Sequence, residues 1–261
     1  MWNESITCYS FVSLYLALLS GVLGIDCPED FMNVNDRFCV LHLSIPFKYC
    51  PAHYACANTG RLYGLRLFMI GRNVQLLDAL GLQNEHVFTG LHSFLFDAST
   101  SSNMDWQSSD PGYNPVTDNG PVNYRWGPDE PSSRTEQLIE WTSNGLRSST
   151  QFVTSNSVVC ELSFVPWPSK SLTELFKRNW PRPISNLILA SKTVEGCWYT
   201  LKVPTIQMCA FKCHLNDYCR SLYYQAAQKI CYLSLYIDSR LPDLVNNTTT
   251  GNWIRYARTN W

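Results

Sequence analysis

The chain has almost no net charge: 20 Lys and Arg stand against 21 Asp and Glu over 261 residues, a formal −1. That balance excludes the broad basic field that nucleic-acid binding requires. Beyond the first 25 residues no apolar run is long enough to span a bilayer, so no span is expected there. The sequence also lacks Gly-x-Ser-x-Gly, His-Glu-x-x-His and a phosphate-cradling glycine loop, and with them the signatures of the enzyme classes they serve. Asp129 and Glu130 are adjacent carboxylates, but their proline-flanked setting suits a turn better than acid–base work. No enzyme activity is expected. Paired Cys-x2-Cys knuckles are missing, and His42, His53, His86, His92 and His214 show no ligand spacing, so no zinc site is expected. No internal repeat is visible.

The N-terminus carries an apolar stretch from Phe11 to Leu23, with Val22 and Gly24 at the −3 and −1 positions for a cut before Ile25. Its length suits the core of a signal peptide over residues 1–24 better than a membrane span. Met1–Ser5 holds no Lys or Arg, so an uncleaved anchor from Ile6 to Ile25 stays open. Of eleven cysteines, Cys8 leaves with the signal segment and ten remain, an even number suited to an oxidising compartment. Asn246-Asn247-Thr248 and Asn247-Thr248-Thr249 overlap as glycosylation acceptors, so glycan is expected at Asn246 or Asn247. These three signals point to a secreted, extracellular protein with no membrane insertion after cleavage.

The cysteines form two clusters: Cys27, Cys39, Cys50, Cys56 and the distant Cys160, then Cys197, Cys209, Cys213, Cys219 and Cys231. The cysteine-free stretch between them carries four prolines, and 164–194 reads as a linker whose middle (SLTELFKRNW) suits a helical turn or two. Its Lys and Arg residues read as a solvated face. Residues 99–133 are rich in Ser, Asn, Asp, Gly and Pro with interleaved Trp106, Tyr113, Tyr124 and Trp126, and are expected to form a long ordered loop. Tyr113, set among Pro and Gly, is the aromatic expected to be exposed for recognition.

Residues 25–163 resemble the C-type lectin-like domain in its long form. The residues that carry the likeness are Cys27-Pro28 with Arg37-Phe38-Cys39 as an N-terminal hairpin, Ala52–Leu62 as the first helix, and Phe88-Thr89-Gly90-Leu91 as a core strand. Tyr124–Pro131 matches the aromatic stretch leading into a Glu-Pro turn, and Val158-Val159-Cys160-Glu161 the closing strand. The resemblance implies an α+β fold with two helices, two small antiparallel sheets and the long loop. It also implies disulfides Cys27–Cys39 and Cys56–Cys160, the second closing a loop worth roughly 4–5 kcal/mol.

The departures from that pattern bear on function. Arg147-Ser148-Ser149 stands where sugar-binding members have Trp-Asn-Asp, and Glu130-Pro131-Ser132 where mannose binders have Glu-Pro-Asn. An Arg and Ser hydroxyls cannot replace carboxylate and amide oxygens around a hard dication. Glu130 and Glu140 alone are too few, so no calcium and no other cofactor is expected. The inner disulfide of the family falls at Leu138 and Phe152, whose apolar side chains suggest a repacked site. Trp106, Trp126 and Trp141 are then the material that holds the loop. The candidate ligand contacts are Tyr113, Trp126, Glu130, Ser132 and Arg147.

Cys209-x3-Cys213-x5-Cys219-x11-Cys231 resembles the core of PAN/apple domains, a small disulfide-rich helix on an antiparallel sheet, here over 195–261. Cys209 and Cys213 share a helix face, and RSLYYQ and KICYLS alternate like strands. The resemblance implies Cys209–Cys231 and Cys213–Cys219. Cys50 and Cys197 are left over, to pair with each other or, between chains, to give a disulfide-linked dimer. The expected function is recognition of an extracellular protein or glycan. The alternatives are a carbohydrate-binding lectin, with or without calcium, and a structural matrix or adhesion component.

Overall fold

A computed structural model of the chain describes residues 26–82, 84–95, 106–114, 124–133, 135–165, 174–189, 195–242 and 253–259. The segment read as a signal peptide, Asn246 and Asn247 lie outside the described residues, as do 99–105 and 115–123 of the long loop. No helix among the described residues is long and apolar enough to cross a membrane.

In the N-terminal half, β1 (Met32–Val34), β2 (Phe38–Leu43), α1 (Tyr49–Leu62) and β3 (Leu67–Met69) are followed by a 3₁₀ segment, Val74–Ala79. Then come β4 (Val87–His92), β5 (Gln107–Ser108), β6 (Leu138–Thr142), β7 (Gly145–Ser149) and β8 (Ser157–Leu162). The resemblance implied two helices in this half; among the described residues it holds one α-helix, α1, and the 3₁₀ segment Val74–Ala79. The strands join in one network ordered β1-β2-β8-β4-β6-β7, with β3 on β8 and β5 on β4. All its pairs are antiparallel except β4 with β8.

α1 is amphipathic for a plain reason. Tyr49, Ala52, His53, Cys56, Ala57 and Gly60 recur at helical spacing and are its buried residues. Gly90 in the Phe-Thr-Gly-Leu strand answers to close approach: a Cβ there would lie 2.6 Å from the Met69 carbonyl oxygen. Its backbone N–H donates to Ile70 O, and its own carbonyl accepts from Ser109 N. Side-chain volume is excluded at that crossing.

In the C-terminal half, β9 (Phe176–Arg178), β10 (Ile188–Leu189), β11 (Trp198–Lys202), α2 (Ile206–His214), β12 (Cys219–Gln225), β13 (Ile230–Leu235), β14 (Leu241–Pro242) and β15 (Trp253–Arg258) follow in order. β11-β13-β12-β15-β9 form an antiparallel sheet, and β10 pairs in parallel with β14. Phe176–Arg178 lies inside the stretch read as a linker with a helical middle, and its backbone instead adds an edge strand to this sheet. Thr205 caps α2, its side chain accepting from Met208 N. Cys209 and Cys213, one turn apart on the buried face of α2, reach Cys231 on β13 and Cys219 on β12. Arg258 braces the far end of α2, donating to the Cys213, His214 and Cys219 carbonyls. Its Nε donates to Glu174. A buried cation at a helix C-terminus is favourable.

The two halves share a core. Tyr49, Ala52, Cys56 and Ala57 of α1 pack in one cluster with Cys197, Tyr218, Tyr236 and Ile237. Cys27–Cys39, Cys56–Cys160 and Cys50–Cys197 complete the five disulfides, and the last joins the halves within one chain at a Cα separation of 5.5 Å. All ten cysteines of the described residues are thus paired within the chain. Leu138 is fully buried, whereas Phe152 is 60% exposed. The expectation that both repack a lost bridge holds for Leu138 alone, because the partner of Leu138 across the sheet is Ser149, and Phe152 falls in the turn beyond β7.

Candidate functional site

The end of the β6–β7 hairpin and the turn over residues 124–133 form one surface. Trp126 bridges Leu146 of β7, with Leu146 N donating to Arg125 O and Gly127 N to Leu146 O. Gly145 permits this crossing. Its φ is +118°, and a Cβ would stand 2.8 Å from Gly127 N and from the Trp126 carbonyl carbon. Any larger residue would push the turn off the hairpin.

On that surface the acidic groups are already engaged. Glu130 Oε2 accepts from Ser148 N at 2.9 Å, Ser148 Oγ at 2.7 Å and Ser132 N at 2.9 Å. Partial burial works to raise the Glu130 carboxyl, but these donors outweigh it and hold its pKa below the ordinary value. Glu136 Oε2 accepts from Ser132 Oγ and lies 2.6 Å from Ser148 Oγ, whose single proton is shared between Glu130 and Glu136. Glu140, 1% exposed on β6, accepts from Arg147 Nη2 at 2.7 Å, across the strand pair that sets Glu140 opposite Arg147. His86 Nδ1 lies 3.4 Å from the same guanidinium nitrogen.

These residues do not fit a calcium ion. The Glu140 carboxylate is met by the guanidinium of Arg147, and Glu130 is met by three protein donors, so a dication would have to displace bonds rather than satisfy free oxygens. Among the described residues no group of three or more His, Cys, Asp or Glu is placed to hold a metal.

Two clefts open beside the cluster. A cleft of about 450 Å³ is lined by Asn84, Glu85, His86, Glu130, Asn144 and Arg147, among others. A second of about 200 Å³ lies under Tyr124, Arg125, Trp141, Val74, Gln75 and Asp78. In it Trp141 Nε1 donates to Asp78 Oδ1 at 2.9 Å, and Arg125 Nη1 lies 3.6 Å from Asp78 Oδ2. Gly145 and Leu146 border both clefts.

Of the sequence candidates, Glu130, Ser132 and Arg147 come together here. Trp126 is half-buried, its ring 5.6 Å from that of Trp106 and packed on the core. Tyr113 is not on this surface. It is 6% exposed and lies with His92 and Arg220 along a small cavity between the two halves, so its expected exposure is corrected: the C-terminal half covers it. Sequence reasoning missed Glu136, His86 and Asp78. His86 and Asp78 reach the surface only through contacts 61 and 63 residues apart in sequence, which no local pattern signals.

Comparison with curated proteins finds no match. Among solved structures, the C-type lectin CEL-I from Cucumaria echinata is 15% identical over 54% of this chain and 100% of its own, at a TM-score of 0.38. The carbohydrate-recognition domain of the human scavenger receptor C-type lectin is 14% identical over 52% of this chain and 98% of its own, also at 0.38. A calcium-independent type II antifreeze protein is 17% identical over 52% and 93%, at 0.36. Likeness at that level carries no argument about ligand. Residues 187–252 match the family model of the PAN domain. The chain is therefore a disulfide-rich α+β protein with a PAN domain in its C-terminal half, and its structural neighbours over the N-terminal half are C-type lectin-like domains.

Proposed function

We propose that this is a secreted recognition protein that binds an extracellular protein or glycan without calcium, and that it performs no catalysis. The ligand face is the surface built by the β6–β7 hairpin and the 124–133 turn. The observation that carries this reading is the closure of the acidic cluster on itself, with Arg147 set against the buried Glu140 and Ser148 and Ser132 against Glu130. The two flanking clefts leave shape and side-chain polarity, rather than a metal, to do the recognising. Residues 25–163 serve as the binding domain, 164–194 as the connecting stretch and 195–261 as the PAN/apple domain. Signal cleavage near Ile25 and glycan at Asn246 or Asn247 belong to the same reading.

A second reading, calcium-independent carbohydrate binding, is favoured by one feature of the smaller cleft. Tyr124 and Trp141 stand beside Asp78, Gln75 and Arg125, a pairing of ring surface with planar hydrogen-bonding groups that suits a pyranose. A glycan array run with and without EGTA, in parallel with binding to panels of extracellular proteins, separates the two. Binding that EGTA abolishes contradicts both.

A further inference from the structure

The junction between the halves holds two histidines that the ligand face does not use. His53 on α1 and His92 at the end of β4 are 3% and 1% exposed. The His53 ring stacks on Tyr236 of the C-terminal half, 5.4 Å between centroids and 9° between planes, with Tyr49 edge-on at 4.8 Å. His53 Nε2 and His92 Nδ1 are buried with no hydrogen-bond partner among the described residues. Between the halves runs Arg220 of β12, whose Nη1 donates to Ser108 O of β5 and to Tyr236 O.

Among the described residues no carboxylate pairs with either ring. His53 meets Tyr49, Tyr236, His92 and Arg220. His92 packs on Phe94, feels the charge of Arg220 and shares a small cavity with Tyr113, Asp238 and Arg258. Two carboxylates are near, and both are engaged elsewhere. Asp238 takes Arg255 Nη2, Ser221 Oγ and Ser239 N. Asp110 takes Ser108 Oγ and Arg72 N. A proton arriving on either imidazole would therefore place a second cation beside Arg220 in a buried interface.

We propose that this junction is an acid-released clasp: protonation of His53 and His92 undocks the C-terminal half from α1 and β4, while the Cys50–Cys197 bond keeps the two halves tethered. Cys50 sits in the first turn of α1 and Cys197 just before β11, both packed in the shared core, so the bond is the pivot that the opened halves keep. The contacts that part are the His53–Tyr236 stack, the Tyr218 hydroxyl on Ala57 O and the Arg61 guanidinium over the Tyr218 ring. Opening uncovers Tyr218, Tyr236 and Ile237.

The direction follows from burial. Desolvation first, then the charge of Arg220, holds His92 down to about 3, and desolvation with His92 and Arg220 holds His53 well below its ordinary value. Both rings are neutral when docked and titrate near 6.5 when exposed. Docking strength is complete above that value and falls as pH drops below it. At pH 5 each histidine shifts the docking equilibrium about 30-fold, and the pair about 1,000-fold.

Hydroxyl-radical footprinting of the full secreted chain, disulfides intact, reads this directly. Between pH 7.4 and pH 5, oxidation at Tyr218 and Tyr236 should rise severalfold while Leu77 and Leu222, buried in clusters confined to the separate halves, stay protected. In His53→Gln with His92→Gln, which keeps polar side chains of neutral charge, the rise should vanish. Each single variant should retain only about a 30-fold shift. Constant protection of Tyr236 in the wild type down to pH 5 overturns the proposal with no variant needed. So does a rise that persists in the double variant, or one that Leu77 shares.

Discussion

Replacing Cys50 and Cys197 with Ser together tests how far the two halves depend on their covalent link. The bridge spans 147 residues, of which 104 are already short-circuited by Cys56–Cys160, leaving about 43 to be closed in the unfolded chain. Loop-closure entropy for that length corresponds to about 4 kcal/mol. For a chain of this size each kcal/mol moves the melting midpoint by roughly 2–4 °C, so a fall of roughly 8–16 °C is expected. Thermal and urea unfolding under non-reducing conditions measure it, with an unchanged denaturant slope as the sign that stability alone has altered. The noncovalent contacts around His53, Tyr218 and Arg220 remain in the variant. A loss under about 1 kcal/mol would refute the reasoning, since the unfolded chain would then be held compact by something other than this bond.

Arg147→Ala strips the partner from a buried carboxylate and should cost about 1.5–3 kcal/mol, the lower end favoured because the Arg147 side chain is 45% exposed. Arg147→Ala with Glu140→Gln should recover much of that, giving a coupling energy of about 1 kcal/mol in a double-mutant cycle by chemical denaturation. Gly145→Ala meets backbone at 2.8 Å on a positive φ and should cost about 2 kcal/mol and abolish ligand binding, as calorimetry and a binding assay would show. Glu161 is buried beside Asp110 and pushed up to about 8 by burial first and that neighbour second. A raised carboxyl contributes stability that is full below about 4.5 and is lost as pH rises through about 8. Glu161→Gln, which can keep the bond from Asn73 Nδ2, should therefore be more stable than wild type by on the order of 4 kcal/mol at pH 8 and about equal at pH 4. Equal stability of the two at pH 8 would contradict it.

The elements legible in the sequence are those written in local spacing. The one-turn separation of Cys209 and Cys213 announces α2, and the stretches read as strands fall on β12 and β13, although β12 is buried along both faces; α1 follows the family pattern over Ala52–Leu62, with buried positions from Tyr49 to Gly60. Cysteine counting left Cys50 and Cys197 without partners, and the fold joins them. What stayed hidden is tertiary. Tyr113 carries the neighbours of an exposed turn, yet the other half of the chain buries it. Phe176–Arg178 has too few residues to announce a strand, and only the free edge of β15 gives it one. Ser148 reads in sequence as a lost calcium ligand. Its hydroxyl and backbone N–H as the donors that complete Glu130 are visible only once β7 lies beside the turn.

Under the proposed function, the Glu130–Glu140 cluster is complete without a metal. Differential scanning calorimetry of the disulfide-bonded chain with millimolar calcium and then with excess EGTA is the sharpest test of it. A ligand at 100 times its dissociation constant adds about 2.7 kcal/mol, which is a shift of several degrees. Coincident melting curves are predicted; a midpoint that rises by several degrees with calcium and falls back with EGTA would contradict the account.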